Sequence, residues 1–544
     1  MQTTFEINPQ IEVALTSFRD TQKHVLITGR AGTGKSTLLR YYLDNFDQGQ
    51  SVVLAPTGVA ALNVEGETIH SFFRIRPGEG LDWVKKEAHK RISSQRGSLY
   101  RGLKTIVIDE ISMVRADLMD IMDVFLQIIR NDDQPFGGVR LIAFGDLYQL
   151  PPVVTPNERA LFTDYYRGPY FFNSEVFDRI VHDLDNFIYI ELEKIYRQVD
   201  PRFINFLNLV RNKQVTETDL AWINQRVVLH DEADKIPVSS ITLTATNQTA
   251  SEINKQHLEA LPDRPWIMKA EISGEFPKEY QPTDEILELK IGARVMLLNN
   301  DQSGRWVNGS LGTIESIENS DREKTYAMNP EDATSNETDE PILNVRLDNQ
   351  KLVEVTKFEF EAFYTAYESA TKKIARKALG TFYQYPLKLA WAITIHKSQG
   401  KTFTDLVIDF EKRLFAGGQA YVALSRARSV DRLWLLRPMR VGDVRLDYRI
   451  VRFLTQLQTD ISSEKFTLPD KIRILEKAIQ MRSVLKMTYL KGDNTKSLRR
   501  ITPLEIGTME YNDHFFEGLR AYCHQTNAER TFNLKRILEL QEVD

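Results

Sequence analysis

Residues 24–43 place a glycine-rich turn between an apolar run and a helix-favouring segment, and this feature constrains the fold more than any other. The run HVLIT leads into GRAGTGKS at 29–36, and TLLRYYL follows. The spacing G-x-x-x-x-G-K-[ST] after a strand and before a helix is typical of a loop whose backbone N–H groups surround phosphates. The helix N-terminus adds a partial positive charge. We therefore predict a nucleotide site in which Lys35 reaches the β- and γ-phosphates and Ser36 coordinates Mg²⁺.

Further apolar runs predict the architecture around this loop. SVVLAP, TIVIDE and VRLIAFGD follow in the first half of the chain, and ITLTATN, LVIDF and RLWLLRP in the second. Consecutive Val, Ile and Leu residues are typical of strands in a parallel sheet that is covered on both faces. The sequence therefore predicts an α/β protein with two cores, divided near Asn186.

Composition excludes several classes of protein. A length of 544 residues suggests three or four domains. The single cysteine, Cys523, excludes an internal disulfide framework, a multi-cysteine zinc site and a cysteine-ligated iron–sulfur cluster. No run approaches the roughly 18 apolar residues of a membrane helix, and MQTTFEINPQ lacks the order of a signal peptide. We expect a cytoplasmic protein. Its net charge of -5 means that any nucleic-acid surface must be local.

Polar residues end two of the predicted strands. Asp109 and Glu110 close TIVIDE, and ligands gather at this end of open α/β sheets. We expect Asp109 to hold Mg²⁺ through water and Glu110 to polarise the attacking water. GDLYQLPPV places Asp146 and Gln149 at the end of another strand, where Gln149 could orient water and report the nucleotide state.

Two arginines and one polar turn could complete the site from the second core. Arg197 lies in LEKIYRQ and Arg426 in QAYVALSRAR, and an arginine at the γ-phosphate stabilises transition-state charge. Thr394, His396 and Lys397 follow the apolar part of PLKLAWAITIHKSQGKTF. Polar donors before a glycine suit phosphates of either a nucleotide or a nucleic-acid backbone.

Taken together, these stretches resemble the motifs of superfamily 1B DNA helicases of the Pif (petite integration frequency) type, which are related to RecD. The resemblance covers about residues 7–454. GRAGTGKS resembles motif I, APTGVAALNVEGETIHSFF motif Ia, IDEISMV motif II and GDLYQLPPV motif III, while LEKIYRQ, AWAITIHKSQGKTF and AYVALSRAR resemble motifs IV, V and VI. It implies two RecA-like cores that bind ATP and Mg²⁺ in their cleft and single-stranded DNA across their tops. It also implies 5′-to-3′ movement, unwinding of tailed duplex DNA, and action on G-quadruplexes or RNA–DNA hybrids.

The resemblance assigns roles to individual residues. The nucleotide-binding set consists of Gln10, as the adenine-reading glutamine, with Gly29, Gly32, Thr33, Gly34, Lys35, Ser36, Thr37 and Gly400. The DNA-binding set consists of Pro56, Thr57, His70, Phe72, Thr246, Asn308, Thr394, His396 and Lys397. Phe72 would stack on a base while the polar residues contact phosphates, which gives a sequence-tolerant grip.

It also implies a division into domains. Core 1A would comprise 1–73 and 104–186, with a wedge-like 1B insertion at 74–103. Core 2A would comprise 187–295 and 386–455, with an SH3-like 2B barrel inserted at 296–385. A linker at 456–467 would lead to a separate C-terminal domain at 468–544.

That C-terminal domain has a resemblance of its own. MTYLKGD, SLRRITPLEI, DHFFEGLRAY and RTFNLKRI follow the order of a WYL domain, an SH3-like ligand-sensing fold, although HFFEG stands where Trp-Tyr-Leu would fall. Residues 471–536 contain 13 Lys and Arg against 7 Asp and Glu, a local net charge of +6. We predict DNA contacts from Arg530 and Arg536, with Tyr489, Arg500 and Arg520 as further candidates. A packing module with solvated charges is the alternative.

Two other functions remain open at this stage. The chain could be a RecD-like motor subunit of a nuclease complex, although no carboxylate-and-lysine nuclease cluster is evident. It could also be a nucleotide-sensing regulator whose WYL-like domain binds an effector. We expect a monomeric helicase of bacterial type, associated with the nucleoid when active, and DNA-stimulated ATP turnover would distinguish it from the regulator.

Overall fold

The computed structural model describes residues 7–19, 22–47, 49–75, 80–228, 234–318, 340–368, 373–410, 414, 416–511 and 514–543. The chain divides into two compact units, Met1–Leu446 and Asp447–Asp544. In the part of the chain described, no helix is both long and apolar enough to cross a membrane.

The first core is a six-stranded parallel sheet, and four of its strands are predicted apolar runs. Its elements in chain order are α1 Pro9–Arg19, β1 His24–Gly29, α2 Lys35–Asn45, β2 Ser51–Ala55, α3 Gly58–Asn63, β3 Glu67–Thr68, α4 Ile69–Phe73, α5 Leu81–Arg91, α6 Gln95–Gly102, β4 Thr105–Ile108, α7 Ala116–Arg130, β5 Arg140–Gly145, α8 Glu175–His182 and β6 Phe187–Leu192. The strand order is β3-β2-β4-β5-β1-β6. Every pairing is parallel, so β1, β4 and β5 end at one edge of the sheet, as predicted.

Strand β6 corrects the predicted boundary between the cores at Asn186. It pairs with β1 over its whole length, from His24 opposite Phe187 to Gly29 opposite Leu192. The first sheet therefore extends to Leu192. The sequence of β6 lacks the continuous apolar run of the other strands, because β6 lies at the edge of the sheet and is only partly buried.

The second core and its insertions follow. The elements are α9 Pro201–Arg211, α10 Glu217–Ile223, β7 Ile241–Thr244, α11 Asn247–Ala260, β8 Trp266–Lys269, β9 Glu271–Gly274, β10 Ile286–Leu289, β11 Arg294–Leu297, β12 Leu311–Glu318, β13 Ile342–Leu347, β14 Leu352–Val355, β15 Phe358–Glu368, β16 Lys373–Gln384, β17 Leu387–Leu389, β18 Ala392–Thr394, β19 Leu406–Ile408, α12 Gln419–Leu424 and β20 Leu433–Leu435. A parallel sheet in the order β18-β7-β19-β20 forms the second core.

Between β7 and β18 the chain builds antiparallel sheets, in and around the insertion at 296–385 that the resemblance implies. One sheet has the order β14-β13-β12-β11-β17, and a second has the order β15-β16-β9. The first therefore begins at Arg294 and closes with β17, a few residues outside the predicted range of 296–385 on either side. The acidic and polar segment 318–340, whose few large apolar residues predict a loop, lies almost wholly outside the described residues.

The C-terminal unit is one antiparallel sheet with two helices. Its elements are α13 Tyr448–Lys465, α14 Leu468–Met481, β21 Leu485–Leu490, β22 Lys496–Tyr511, β23 His514–Cys523, β24 Ala528–Asn533 and β25 Ile537–Glu542, in the sheet order β24-β23-β22-β21-β25. Leu475 and Ala478 of α14 are buried together with strand residues such as Leu485 and Ile501. Helix α13 covers most of the segment 456–467, so the predicted linker is replaced by ordered helix.

Candidate nucleotide and DNA site

The glycine-rich loop joins β1 to α2 in the arrangement that its spacing predicts. Gly32 has a φ of 80°, and a Cβ atom built there would lie 2.5 Å from Cβ of Arg197. Lys35 Nζ donates to the carbonyl oxygens of Gly29 and Arg30 at 2.8 and 3.0 Å. The lysine thus lies across the loop, beside the N–H groups that would face a phosphate.

Asp109 and Glu110 stand directly after β4, on the same cleft wall as Ser36. Burial raises the pKa of Asp109, and burial together with the neighbouring Asp109 raises the pKa of Glu110. Burial lowers the pKa of Lys35, although the carboxylates of Asp146, Glu110 and Asp109 oppose that change. The site therefore concentrates groups whose charge an added anion or cation would strongly affect.

Asp146 is the fully buried centre of a contact between the two cores. Gln149 Nε2 donates to Asp146 Oδ2 at 3.1 Å, and the Tyr421 hydroxyl donates to the same oxygen at 3.2 Å. Arg211 Nη2 lies 3.7 Å from Asp146 Oδ1. The Tyr421 hydroxyl also accepts from the backbone N–H of Ala31 in the phosphate loop at 3.0 Å. One phenol therefore connects the loop, the end of β5 and helix α12 of the second core.

The two predicted arginines occupy different positions. Arg197 packs on Gly32 and donates to the carbonyl oxygens of Ser425 and Gly400, both at 3.3 Å. Arg426 is 1% exposed and donates to the Val422 carbonyl at 3.0 Å and to Ser425 Oγ at 2.8 Å. Burial, and then repulsion by Arg197, lower the pKa of Arg426 to about 9. Arg197 is therefore the arginine that lies on the loop, while Arg426 is held inside the second core.

The predicted DNA-binding residues are only partly brought together. A cleft of about 1890 Å³ is lined by Thr57, Asn308, His396 and Lys397, and its wall also includes Ser36, Asp109, Glu110 and Gly400. Pro56 precedes helix α3, and His70 lies in α4. Thr246 accepts from the Thr249 N–H at the start of α11, whereas Thr394 is 4% exposed and accepts weakly from the Lys397 N–H.

The structure corrects the predicted DNA-binding role of Phe72. Its side chain has no exposed surface, and its ring packs edge-to-face against Phe73 and Tyr100, with centroids 4.9 and 5.4 Å apart. A ring enclosed in this way cannot stack on a base, so the stacking role predicted for Phe72 is wrong for this structure. The motif alone suggests Phe72 as a stacking residue, but a motif does not show which face of the short helix α4 is buried.

The remaining predicted nucleotide residues lie near the loop or within it. Thr33 is buried and donates to the Arg30 carbonyl at 2.9 Å, and Thr37 lies in the first turn of α2. Gln10 lies in the first turn of α1, half-buried. Its neighbour Asn8 donates weakly to the Tyr196 hydroxyl, at 3.4 Å, and the Tyr196 N–H donates to the Gly32 carbonyl at 2.8 Å.

Sequence reasoning missed Tyr196, Arg211 and Tyr421. A signal was present for Tyr421, because a polar ring within the run QAYVALSRAR, which the structure buries from Gln419 to Ala427, needs a hydrogen-bond partner. Arg211 had no comparable signal, since one arginine at the end of an amphipathic helix is ordinarily solvated.

In the C-terminal unit, Arg530 and Arg536 lie on separate elements. Arg530 is exposed on β24, in register with Ala521, and its Nε donates to Thr526 Oγ1 at 3.1 Å. Arg536 ends a short 3₁₀ turn beside Gly492. The candidate Arg520 pairs with Glu505 at 2.6 Å, so its charge is already partly balanced.

Two RecA-like cores, with a phosphate loop in the first, Arg197 packed against that loop and Arg426 buried in the second core, define an ATP-driven motor of the helicase class. A sequence profile of the PIF1-like helicase family matches residues 10–220, and that of the WYL domain matches residues 470–542. The chain is 33% identical over 461 residues to the ATP-dependent DNA helicase Pif1 of Bdellovibrio bacteriovorus, covering 83% of this chain and 92% of that one. The chain belongs to the PIF1-like helicase family, and the predictions of an ATP-dependent DNA helicase and of a C-terminal WYL domain are confirmed.

Solved structures of a Bacteroides sp. Pif1 agree with this assignment. The complex with ADP-AlF4 is 32% identical and superposes with a TM-score of 0.71, covering 84% of this chain and 98% of that chain. The form bound to single-stranded DNA is equally identical and superposes with a TM-score of 0.57, covering 83% and 96%. The present arrangement is thus closer to the nucleotide-analogue complex than to the DNA-bound form of the same relative.

Proposed function

We propose that this chain uses Mg²⁺-ATP to move 5′ to 3′ along single-stranded DNA and thereby unwinds tailed duplexes. The observation that carries the proposal is the cleft of about 1890 Å³, whose wall joins Ser36, Asp109 and Glu110 to Thr57, Asn308 and Lys397. Hydrolysis and strand contact share one cavity, so closure around one ligand changes the space for the other. The direction of movement rests on the order and identity of the seven motifs.

The nucleotide chemistry is assigned to the first core. Lys35 would exchange its two carbonyl partners for phosphate oxygens, and Glu110 would polarise the attacking water, for which a raised pKa suits it. Gln149 would orient that water through its tie to Asp146.

Ser36 and Asp109 are the residues that would hold Mg²⁺, whose charge neutralises the phosphates. The raised pKa values of Asp109 and Glu110 fit a site that gains from a nearby cation. Among the described residues there is no cluster of three or more His, Cys, Asp or Glu side chains suited to a metal. Phosphate oxygens and water would therefore supply most of the ligands, as is usual for Mg²⁺.

Stabilisation of the charge that develops on the terminal phosphate is assigned to Arg197 and Arg426. Arg197 already touches the loop, so it would contact the terminal phosphate with little movement. Arg426 would act when the second core closes, because its guanidinium now donates only within that core. Such an arginine acts on transition-state charge more than on binding.

DNA binding is supported by the single-strand complex of the Bacteroides relative. We infer that the cores rearrange when the strand enters, since this chain fits the DNA-bound form of that relative less closely than the ADP-AlF4 form. G-quadruplexes and RNA–DNA hybrids are further proposed substrates, because a grip on backbone phosphates does not depend on base sequence.

Strand displacement tests the proposal directly. Duplexes with a 5′ or a 3′ single-stranded tail are incubated with the protein, Mg²⁺ and ATP, with Lys35→Ala as the inactive control. Only the 5′-tailed duplex should open, and single strands should stimulate ATP turnover. Opening of the 3′-tailed duplex alone would reverse the direction, and turnover indifferent to DNA would favour a nucleotide-sensing regulator.

A further inference from the structure

Arg211 lies outside the seven motifs of the family resemblance, yet it ends helix α9 in contact with the first core. Its side chain is 7% exposed and reaches the fully buried Asp146, with Nη2 3.7 Å from Oδ1. Its guanidinium also lies over the ring of Tyr148, with Cζ 3.7 Å from the ring centroid. One arginine of the second core therefore contacts two residues of the segment that follows β5.

The carboxylate of Asp146 is held from both cores at once. Its Oδ1 accepts from the backbone N–H of Tyr148 at 3.2 Å, and Arg211 approaches the same oxygen. Its Oδ2 accepts from Gln149 Nε2 at 3.1 Å and from the Tyr421 hydroxyl at 3.2 Å. Each oxygen thus has one contact from the first core and one from the second. A shift of the second core relative to β5 therefore changes the surroundings of the carboxylate that holds Gln149.

The two contacts from the second core come from neighbouring helices. Arg211 is the last residue of α9 and Tyr421 lies in α12, and these helices pack against each other. Val210, the residue before Arg211, is buried and helps to fix the end of α9. Because both helices belong to the second core, the guanidinium and the phenol approach Asp146 or leave it together.

Stability alone does not explain the presence of a cation here. Nε of Arg211 is buried and has no hydrogen-bond partner among the described residues, and the 3.7 Å from Nη2 to Asp146 is longer than a hydrogen bond. A buried donor without a partner is unfavourable, and apolar residues of similar size often stabilise a fold as well as a buried ion pair does. Burial alone would lower the pKa of Arg211, but charged neighbours, Asp146 first among them, raise it. The arginine is therefore charged at a cost in stability, as is common at functional sites.

We propose that Arg211 is a positioning residue for ATP hydrolysis, which fixes Asp146 and Tyr148 and thereby sets the orientation of Gln149. The inference rests on the proposed function, in which Gln149 orients the attacking water. Within the described part of the chain, the polar contacts of Arg211 are with Asp146 and the Tyr148 ring, and none is with the phosphate loop. Arg211 therefore acts through Gln149 and not on the nucleotide itself.

The separation between Arg211 and Asp146 links this positioning to movement of the cores. Hydrogen bonds of this type span about 2.7–3.2 Å, so a small approach of α9 toward β5 would let Nη2 donate directly to Oδ1. DNA that draws the two cores together would then fix Gln149 more firmly and raise turnover. Arg211 should consequently matter more for DNA-stimulated turnover than for basal turnover.

The experiment measures Mg²⁺-ATP turnover with and without oligothymidylate, and separately the affinity for a non-hydrolysable ATP analogue. Arg211→Lys keeps a positive charge but loses the planar stack on Tyr148. Its DNA-stimulated kcat should fall about tenfold, and that of Arg211→Met up to about 10²-fold, the range expected for a displaced reacting group. Affinity for the analogue should change little in both variants. Thermal melting verifies that each variant is folded.

Gln149→Ala supplies the test that separates positioning from stability. If Arg211 acts through Gln149, adding Arg211→Lys to Gln149→Ala should lower kcat by less than about twofold, because the group to be positioned is already absent. Losses from two independent structural changes would multiply instead.

Arg202→Lys is the matched control on the same helix. Arg202 lies in the first turn of α9 and also stacks on an aromatic ring, with Cζ 4.6 Å from the centroid of Trp222. The variant makes the same chemical change away from Asp146. It should keep the wild-type turnover and the wild-type stimulation by DNA.

Three results would overturn the inference. The first is an Arg211→Lys protein with the DNA-stimulated kcat of the wild type, and the second is a loss that multiplies with that of Gln149→Ala. The third is an equal loss of analogue affinity, which would show that Arg211 acts on nucleotide binding. Failure of the proposed function looks different, because wild-type turnover would then be indifferent to DNA and no duplex would open. The comparison of Arg211 with Gln149 could still be made on basal turnover.

Discussion

The two cores contribute opposite kinds of groups to the nucleotide site. The first core presents Lys35, Asp109 and Glu110, whose pKa values are all displaced by burial and by one another. The second presents Tyr421 and Arg426, which are 4% and 1% exposed and fully engaged in hydrogen bonds. The first core therefore supplies the lysine and the acid–base groups. The second core supplies a buried cation, Arg426, and the phenol of Tyr421 that connects the two cores.

The contact between the cores is close enough for such coupling. Gly418, at the start of α12, has a φ of 77°, and a Cβ atom there would lie 2.2 Å from the Gln149 carbonyl oxygen. Backbone therefore lies against backbone where the second core meets the end of β5. Movement of α12 toward the end of β5 must displace Gln149 or be blocked by it.

The largest expected effect comes from Arg426→Ala. Loss of a transition-state cation should lower DNA-stimulated kcat by about 10³-fold, at the low end for arginines in this role. Nucleotide affinity should change much less, because the guanidinium now binds only within the second core. Equilibrium nucleotide binding and steady-state turnover are measured separately. An equal loss in both would show that Arg426 acts on nucleotide binding and not on the transition state.

Glu110→Gln should have the next largest effect. ATP binding should persist while hydrolysis falls by about 10²-fold, at the low end for a general base. The wild type should also lose turnover as pH falls through the raised pKa of Glu110, because protonation removes the base. Near-normal hydrolysis by Glu110→Gln would show that another group polarises the water.

Tyr421→Phe tests whether the Tyr421 hydroxyl couples the two cores, and its expected effect is smaller than that of the two preceding variants. It removes one hydroxyl and leaves the Ala31 N–H without this partner, while Asp146 keeps Gln149. An unsatisfied buried donor costs about 1–3 kcal/mol, so the arrangement in which the two cores touch should be about tenfold less populated and fewer base pairs should be unwound per ATP. Basal turnover without DNA should fall less. A uniform loss of basal and DNA-stimulated turnover would assign Tyr421 to stability instead.

How much of this site the sequence predicts depends on how far apart along the chain the interacting residues lie. The phosphate loop, the carboxylates after β4 and the parallel sheet follow from local spacing and apolar runs, so they were predictable. The burial of Phe72 and the pairing of β6 with β1 depend on segments that are distant in the sequence. Helix α13 was missed because its polar residues resemble a linker until its buried stripe of Ile450, Leu454 and Leu457 is known.

The smallest expected effect concerns the C-terminal unit, which contributes to neither core. It has a buried core of its own, so a chain that ends at Leu446 should fold and retain every motif residue. We expect basal ATP turnover to survive. We expect affinity for single-stranded DNA to fall a few-fold, because the net charge of +6 at 471–536 releases counterions when it meets phosphates.

The salt dependence of DNA binding identifies which residues of the C-terminal unit contact phosphates. The slope of log affinity against log salt should become shallower on truncation, and Arg530→Ala or Arg536→Ala should each reproduce part of that change. Arg520→Ala is the matched control, since its pairing with Glu505 already balances its charge. If truncation leaves both affinity and slope unchanged in a folded protein, the WYL domain does not bind DNA. The two cores and the antiparallel sheets between β7 and β18 would then account for all binding to the strand, and a packing or ligand-sensing role for the C-terminal unit would be favoured.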